Sequence, residues 1–401
     1  MKIWIVNPFD DPPDEDVPRG RYWSLAEALI ARGHSITWWT ADWSHRFKRP
    51  RGVGRASRDL KVRRVPVRPY LRNVGRTRLK SHADFAIGFE ERATALLAES
   101  AAEAPFIVIA SMPTIDAALA AKRVADTVHA KFIVDVQDLW PETFYQALPV
   151  PRFMREWLGR RVFARWHREA DSVFQLADAV TAVCDTYIAH ARTRGAMGPF
   201  HRTYIGFNSE PGLDREKADG PMRFVYIGSL SRNYDWRTLL DAVALLHAEG
   251  AEFEVHVAGN GEASKKFRKR AEDPIVMGGR IKWHGFLAKD ALRELLGAVE
   301  VGLNLIRPES RIVMPNKLSD YLGHNLPVIN SLPGEPEHLL GAAGWRYKAG
   351  DATSLAAAMR ACVKSRRTVR EAAGAALRLG EMEFNRANTY TALAEFIESV
   401  A

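Results

Sequence analysis

Short apolar runs alternate along this chain with longer stretches whose apolar residues return every three or four positions. KIWIVN is followed by RYWSLAEALIARG, then HSITWWT; further on come FIVIA, IDAALAAKRVADTVHA, KFIVDV, a long helical stretch near 153–177, AVTAVC and RTYIGF. Strands this short and apolar, separated by helices, belong to a parallel sheet covered on both faces, which predicts an α/β, doubly wound domain. The periodicity stops at NSEPGLDREKADGP, 208–221, which is polar, charged and closed by Gly-Pro. It restarts with MRFVYIG, FEVHVAG, IKWHGF, VGLNLI and PVINS, each followed by a helical pattern. The pattern therefore predicts two Rossmann-like domains, 1–208 and 221–383, joined by a linker at 209–220. The helical segment within 384–401 is expected to pack back onto the first domain. Sheets of this kind bind ligands at the C-terminal ends of their strands, so the expected site is a cleft between the facing domains.

The totals narrow the class. The 401 residues, 47% of them apolar, suffice for two packed cores. No apolar run approaches the roughly twenty residues that span a bilayer, and no signal-peptide pattern stands at the N-terminus, so a cytoplasmic protein is expected. Cys184 and Cys362 lie far apart in apolar surroundings and read as buried thiols. The net charge of +9 is local: Arg46 to Lys80 holds fourteen Lys or Arg against one acid, Asp59, which leaves the rest of the chain at −4. Such a cluster suits a phosphate-rich partner, anionic lipid or nucleic acid.

Candidate chemistry concentrates in the loops after the C-terminal-half strands. GSLSRNYDW offers the backbone N–H groups of Gly228 and Ser229 and the guanidinium of Arg232 to phosphate oxygens. AGNG places Gly259 and Gly261 either for close approach to a ligand or for a tight strand–helix turn. In HGFL, Phe286 and Leu287 read as walls of a base pocket or as ordinary core. MPNKLSDYLGHNLPVIN starts a helix near Pro315 and Asn316 with Lys317 in its first turn. A cation there opposes the helix macrodipole unless an anion offsets it, and that conflict argues for a bound diphosphate. Asp320, one turn deeper, suits ribose hydroxyls, or is a solvated helix charge.

With these residues in view, the chain resembles the retaining glycosyltransferases of family 4, of GT-B fold, and within them the bacterial members that build cell-surface polysaccharides. SDYLGHNLPVI sets Asp320 at the second glutamate of the family's donor motif, whose role is to hold the ribose; the first glutamate falls on Ile312. The resemblance implies that Lys317, with Arg311, takes over the lost donor contact. The Arg and Lys of the family's first C-domain loop fall on Ser229 and Tyr234, with Arg232 as substitute. DVQDLWPETF resembles the family's HDLWP loop with Gln137 at the histidine, leaving Asp138 and Glu142 as carboxylates able to hold or deprotonate an acceptor hydroxyl. Asp138 equally suits a turn cap. The N-terminal loop resembles the family's first glycine-rich loop but carries one glycine, Gly20, between Arg19 and Arg21; the resemblance implies that these arginines face an acceptor or donor phosphate. The implied reaction moves a sugar from a nucleotide-diphosphate sugar to a saccharide acceptor, lipid-linked, with Lys317 stabilising the leaving diphosphate. Neither a cofactor nor a metal is expected, and the acidic PDED near residue 14 reads as solvated.

The segment 153–177 joins Met154, Leu158, Val162 and Trp166 in one stripe, with Phe153 and Trp157 beside it and six arginines around. Arginine plus tryptophan on an amphipathic helix suits a bilayer interface, and a stripe of this spacing equally suits a core. Together with residues 46–80 it suggests an anionic membrane surface as partner and a peripheral place on the inner face of the membrane. Two competing readings are a nucleotide-sugar enzyme without an acceptor, such as a 2-epimerase, and a nucleic-acid-binding protein. The second lacks an aromatic RNA-binding strand, a zinc motif and a recognition helix. No G-x-G-x-x-G follows a strand, which disfavours a dinucleotide oxidoreductase.

Overall fold

The structure is a computed structural model that describes residues 1–13, 19–52, 59–72, 75–208, 220–231 and 233–401. All of the expected linker 209–220 except Gly220 lies outside them, as do Arg232 and the acidic residues 14–16. The chain divides into two compact units: Met1–Tyr204 with Tyr390–Ala401, and Ile205–Thr389.

The first unit holds a seven-stranded parallel sheet built from β1 (Lys2–Val6), β2 (Ser35–Ala41), β3 (Leu60–Val65), β4 (Ile107–Met112), β5 (Lys131–Val136), β6 (Ala179–Ala182) and β7 (Phe200–Arg202). Its spatial order is β3-β2-β1-β4-β5-β6-β7. The order reverses direction between β1 and β4, the switch point at which such sheets open a crevice. Apolar side chains of β1 on both faces are buried because helices cover both, among them α1 (Arg21–Ala31), α2 (Arg76–Glu99) and α3 (Ile115–Thr127). Sequence periodicity does not reveal β3, which lies inside the basic segment and carries three cations, Lys61, Arg63 and Arg64. It is an edge strand, where charged residues are tolerated.

The stretch near 153–177 is two helices, α4 (Arg152–Val162) and α5 (Ala164–Gln175), broken at Phe163. The break divides the expected stripe. On α4, Phe153, Met154, Trp157 and Val162 are exposed, and Gly159 is the only buried residue. These residues are not core. Trp166 on α5 is instead half-buried against Phe144 and Phe163.

The second unit holds a six-stranded parallel sheet of β8 (Met222–Ile227), β9 (Phe253–Ala258), β10 (Ile281–Gly285), β11 (Val301–Asn304), β12 (Val328–Asn330) and β13 (Gly344–Arg346), in the order β10-β9-β8-β11-β12-β13. One apolar core joins β8, β9 and β11 to the helix Trp236–Ala248 and the helix Ala352–Lys364. The last helix, Arg386–Ser399, starts in this unit, and from Tyr390 onward it belongs to the first. Its Tyr390, Leu393, Ala394 and Ile397 share a core with Ile3, Leu25 and Ile36.

Candidate functional site

In the second unit, the ends of β8, β9 and β10 and the loop before α6 (Lys317–Leu322) enclose a pocket of about 600 Å³. That volume falls within the range of ligand pockets, about 300–1,000 Å³. Its wall includes Gly228 and Ser229 after β8, Gly259 after β9, Phe286 and Leu287 after β10, and Ile312, Asn316, Lys317 and Asp320.

Lys317 is the centre of this arrangement. The residue is 6% exposed, and its ammonium lies 4.1 Å from the ring centroids of both Tyr226 and Tyr234. Nζ is buried without a hydrogen-bond partner. Burial pushes the amine down to about 7, against the pull of the Asp320 carboxylate. The two ring faces favour the cation and partly offset its lost hydration. Gly228 completes the seat: at φ +120 a Cβ there would stand 3.2 Å from Nζ.

Asp320 is accessible to solvent, yet the surrounding wall desolvates its carboxyl enough to push it up to about 6, while Arg386 and Lys317 pull it back. Tyr321, next on the helix, bonds Leu303 O and the Ile227 N–H through its hydroxyl. These bonds pin α6 to β8 and β11 and fix where Lys317 and Asp320 stand. Asn316 lines the pocket but makes no side-chain cap, and α6 is a short helix of six residues.

The glycines separate into two kinds. At Gly259 a Cβ would sit 1.9 Å from Gly228 O, at φ +147, so only glycine lets the first two loops touch beneath the pocket. Gly261 does not line the pocket: its N–H bonds Ser264 Oγ, and a Cβ would strike the Leu230 backbone. Its expected ligand role is therefore replaced by packing. Phe286 is 80% exposed, which overturns the core reading and leaves a bare ring on the pocket wall. Arg311 is exposed and stands beside the wall residue Ile312 without lining the pocket itself.

The first unit treats its candidates differently. Arg21 is 2% exposed and donates Nε and Nη2 to the Asp135 carboxylate and Nη1 to Thr203 O. Its guanidinium is spent inside the protein, so the expectation of a phosphate ligand at Arg21 is corrected. Arg19 is exposed, pairs with Glu27 at 3.4 Å and lies over the Trp23 ring. Beside Gly20, where a Cβ would meet Asp10 Oδ2 at 3.2 Å, the Asp10 carboxylate takes the Tyr22 N–H at the start of α1. Asp138 accepts from its neighbour Leu139 N–H and from Thr143 Oγ1, the turn-cap arrangement. Glu142 accepts from Arg194 Nη1 at 2.8 Å, with His167 and His190 within 4 Å, and so ties its loop to neighbouring helices.

Sequence reasoning missed Tyr226, Tyr234 and Arg386. The one signal was Tyr234, which occupies a position where the resembling family carries a cation. Among the described residues, no three His, Cys, Asp or Glu side chains form a metal-binding group, and no helix is long and apolar enough to cross a membrane.

Comparison with known proteins agrees with this architecture. A glycosyl transferase 4-like domain model matches residues 20–205, and a glycosyl transferases group 1 model matches residues 221–365. An amylovoran biosynthesis glycosyltransferase of Erwinia amylovora is 25% identical over 194 residues, 47% of each chain, so the match spans about half of that relative. Sucrose-phosphate synthase from Thermosynechococcus elongatus superimposes with a TM-score of 0.73 at 15% identity, covering 100% of this chain and 99% of that one. Anabaena HepE, in complex with UDP, gives 0.67 at 14% identity over 100% of both chains. With one transferase model on each Rossmann-like unit, and a fold shared along the whole chain, the protein belongs to the GT-B glycosyltransferases of the family 4 and group 1 kind.

Proposed function

We propose that the protein transfers a sugar, with retention, from a nucleotide-diphosphate sugar to a saccharide acceptor in cell-surface polysaccharide synthesis. The observation that carries this reading is the buried Lys317 ammonium, which has no hydrogen-bond partner and faces a nucleotide-sized pocket. A diphosphate at Gly228 and Ser229 supplies the missing anion. Phe286, Leu287 and Ile312 offer apolar surface to a base, and Asp320 offers its carboxylate to the ribose. The Anabaena neighbour is a UDP complex, and the Erwinia relative is named for polysaccharide synthesis, which supports donor and acceptor classes of this kind.

In the reaction, the bond from the anomeric carbon to the diphosphate oxygen breaks. A bond from the acceptor hydroxyl oxygen to that carbon forms on the same face. The acceptor proton passes to the departing phosphate oxygen, and Lys317 stabilises the charge that develops there. No protein nucleophile is needed, and no metal is invoked. Thermal-shift measurements with UDP, GDP, dTDP and CMP test the donor half. One diphosphate is expected to raise the midpoint by mass action, and no response to any of them sinks the reading. Asp320→Ala is expected to reduce the response.

A lipid-linked acceptor met at an anionic membrane surface is the second part of the proposal. Helix α4 presents Phe153, Met154, Trp157 and Val162 to solvent amid Arg152, Arg160 and Arg161. The ribbon Trp43–Ser44/Arg49–Pro50 exposes Phe47 between the guanidinium groups of Arg46 and Arg49. Apolar rings flanked by arginine suit a headgroup boundary. Three other cations of the basic segment are internally engaged: Arg51 pairs with Asp11, Lys61 with Glu103 and Arg68 with Asp84. Flotation with phosphatidylserine vesicles at low salt is expected to carry the protein upward, less so for Trp157→Ser. A protein that stays below counts against membrane docking and leaves the donor reading untouched.

A further inference from the structure

A second, smaller pocket lies wholly within the first unit, and its walls have a different chemistry. Leu79 and His82 of α2, Ile115 and Asp116 at the start of α3, Trp140 after β5 and Trp166 of α5 enclose about 110 Å³. Trp140 is 6% exposed, and the His82 ring stacks on it at 5.3 Å and 23°. The Arg78 guanidinium lies 5.2 Å from the Trp140 ring centroid and 5.1 Å from that of Phe9. Burial, then the nearby Arg78, lowers His82 to about 3, so its imidazole is neutral.

We propose that this pocket is the subsite for one sugar ring of the acceptor, laid against the indole of Trp166 and hydrogen-bonded through its hydroxyls to the Asp116 carboxylate. The proposal rests on the transferase reading and names the acceptor residues that reading leaves open. A pyranose has a face of C–H groups and a rim of hydroxyls; the first packs on flat aromatic surface and the second requires polar partners. Both are present here. Asp116 is exposed at the pocket mouth, and desolvation with the neighbouring Glu169 pushes its carboxyl above the ordinary carboxylate value while Arg165 pulls it back. A hydrocarbon chain in the same place would desolvate this carboxylate without bonding it, which is costly. A sugar hydroxyl bonds it. The volume is on the scale of a few water molecules at about 30 Å³ each, so a single ring with one side left in solvent fits better than an oligosaccharide.

The test is saturation-transfer NMR on the full chain with millimolar methyl glycosides of glucose, galactose, mannose, rhamnose and N-acetylglucosamine. At least one glycoside is expected to receive saturation at its ring C–H protons. The signal should be lost in Trp166→Ala, largely kept in Trp166→Phe, and reduced several-fold in Asp116→Ala. The nucleotide-induced thermal shift should persist in all three variants, which also shows that they fold. A signal of equal strength in Trp166→Ala overturns the subsite, as does a panel in which no sugar contacts the wild type. If wild type responds to sugars but to no nucleotide diphosphate, the donor reading fails while the sugar pocket stands.

Discussion

Arg21 and Lys317 are both buried cations in the first turn of a helix within a Rossmann-like unit, and they have opposite surroundings. Arg21 meets a carboxylate in bidentate geometry, a carbonyl, and, through Asp135, the hydroxyls of Tyr22 and Thr181. Asp135 is held below the ordinary carboxylate range despite burial, because Arg21 and these donors stabilise its charge. Lys317 has two ring faces, a carboxylate one turn away and no hydrogen bond. A buried charge whose partners are all internal is architecture. One whose partner is missing is a receptor for what the protein does not itself supply.

The largest expected effect that bears on this contrast is on Arg21. Arg21→Ala strands Asp135 in the core and is expected to cost about 3–5 kcal/mol, read from the urea midpoint. A loss near zero would erase the distinction. Lys317→Met should behave in the opposite way: the ligand-free midpoint holds or rises, because an uncompensated buried charge is removed, while the nucleotide-induced shift falls at least several-fold. A ligand-free midpoint that drops as far as that of Arg21→Ala would place Lys317 among the structural cations.

The pH dependence sharpens the contrast further. Lys317 is lowered from 10.5 to about 7, so between those values the unfolded chain holds a proton that the folded one has released. Stability from this group therefore rises with pH across that window. A bound diphosphate favours the ammonium, so binding takes up a proton, and affinity should fall above pH 7 by up to about tenfold per unit. Calorimetry in buffers of different ionisation heat measures the uptake, and Lys317→Met should abolish it.

The smallest effect concerns Asp10, raised to about 6 by burial and by its acidic neighbours Asp11 and Asp135. Its folded pKa lies above the unfolded one, so its charge costs stability as pH rises from about 4 to 6, and the cost is complete above that. Asp10→Asn should raise the thermal midpoint slightly at pH 8 and less at pH 5.

Much of the fold was legible because parallel strands buried on both faces are short apolar runs, as in KIWIV and KFIVDV. The edge strand LKVRRV was not, because an edge exposes one side and tolerates three cations. Lys317 stood out through a local conflict with its helix. Arg21 looked equally available in sequence because its partner, Asp135, is 114 positions away. Nothing local tells an arginine that will be paired from one that will not. The break at Phe163 was hidden by a continuous helical stripe, and the Tyr226–Tyr234 cage by the distance between strand end and loop.

The helix Arg386–Ser399 bears on how the chain is made. Tyr390, Leu393, Ala394 and Ile397 complete the apolar interior that Ile3 and Ile36 begin. During synthesis on the ribosome, domains usually form in the order they emerge. Of the two sheets, the one translated first keeps an unfilled flank until the helix that follows the second sheet has emerged, so it is begun earlier and closed later than its neighbour.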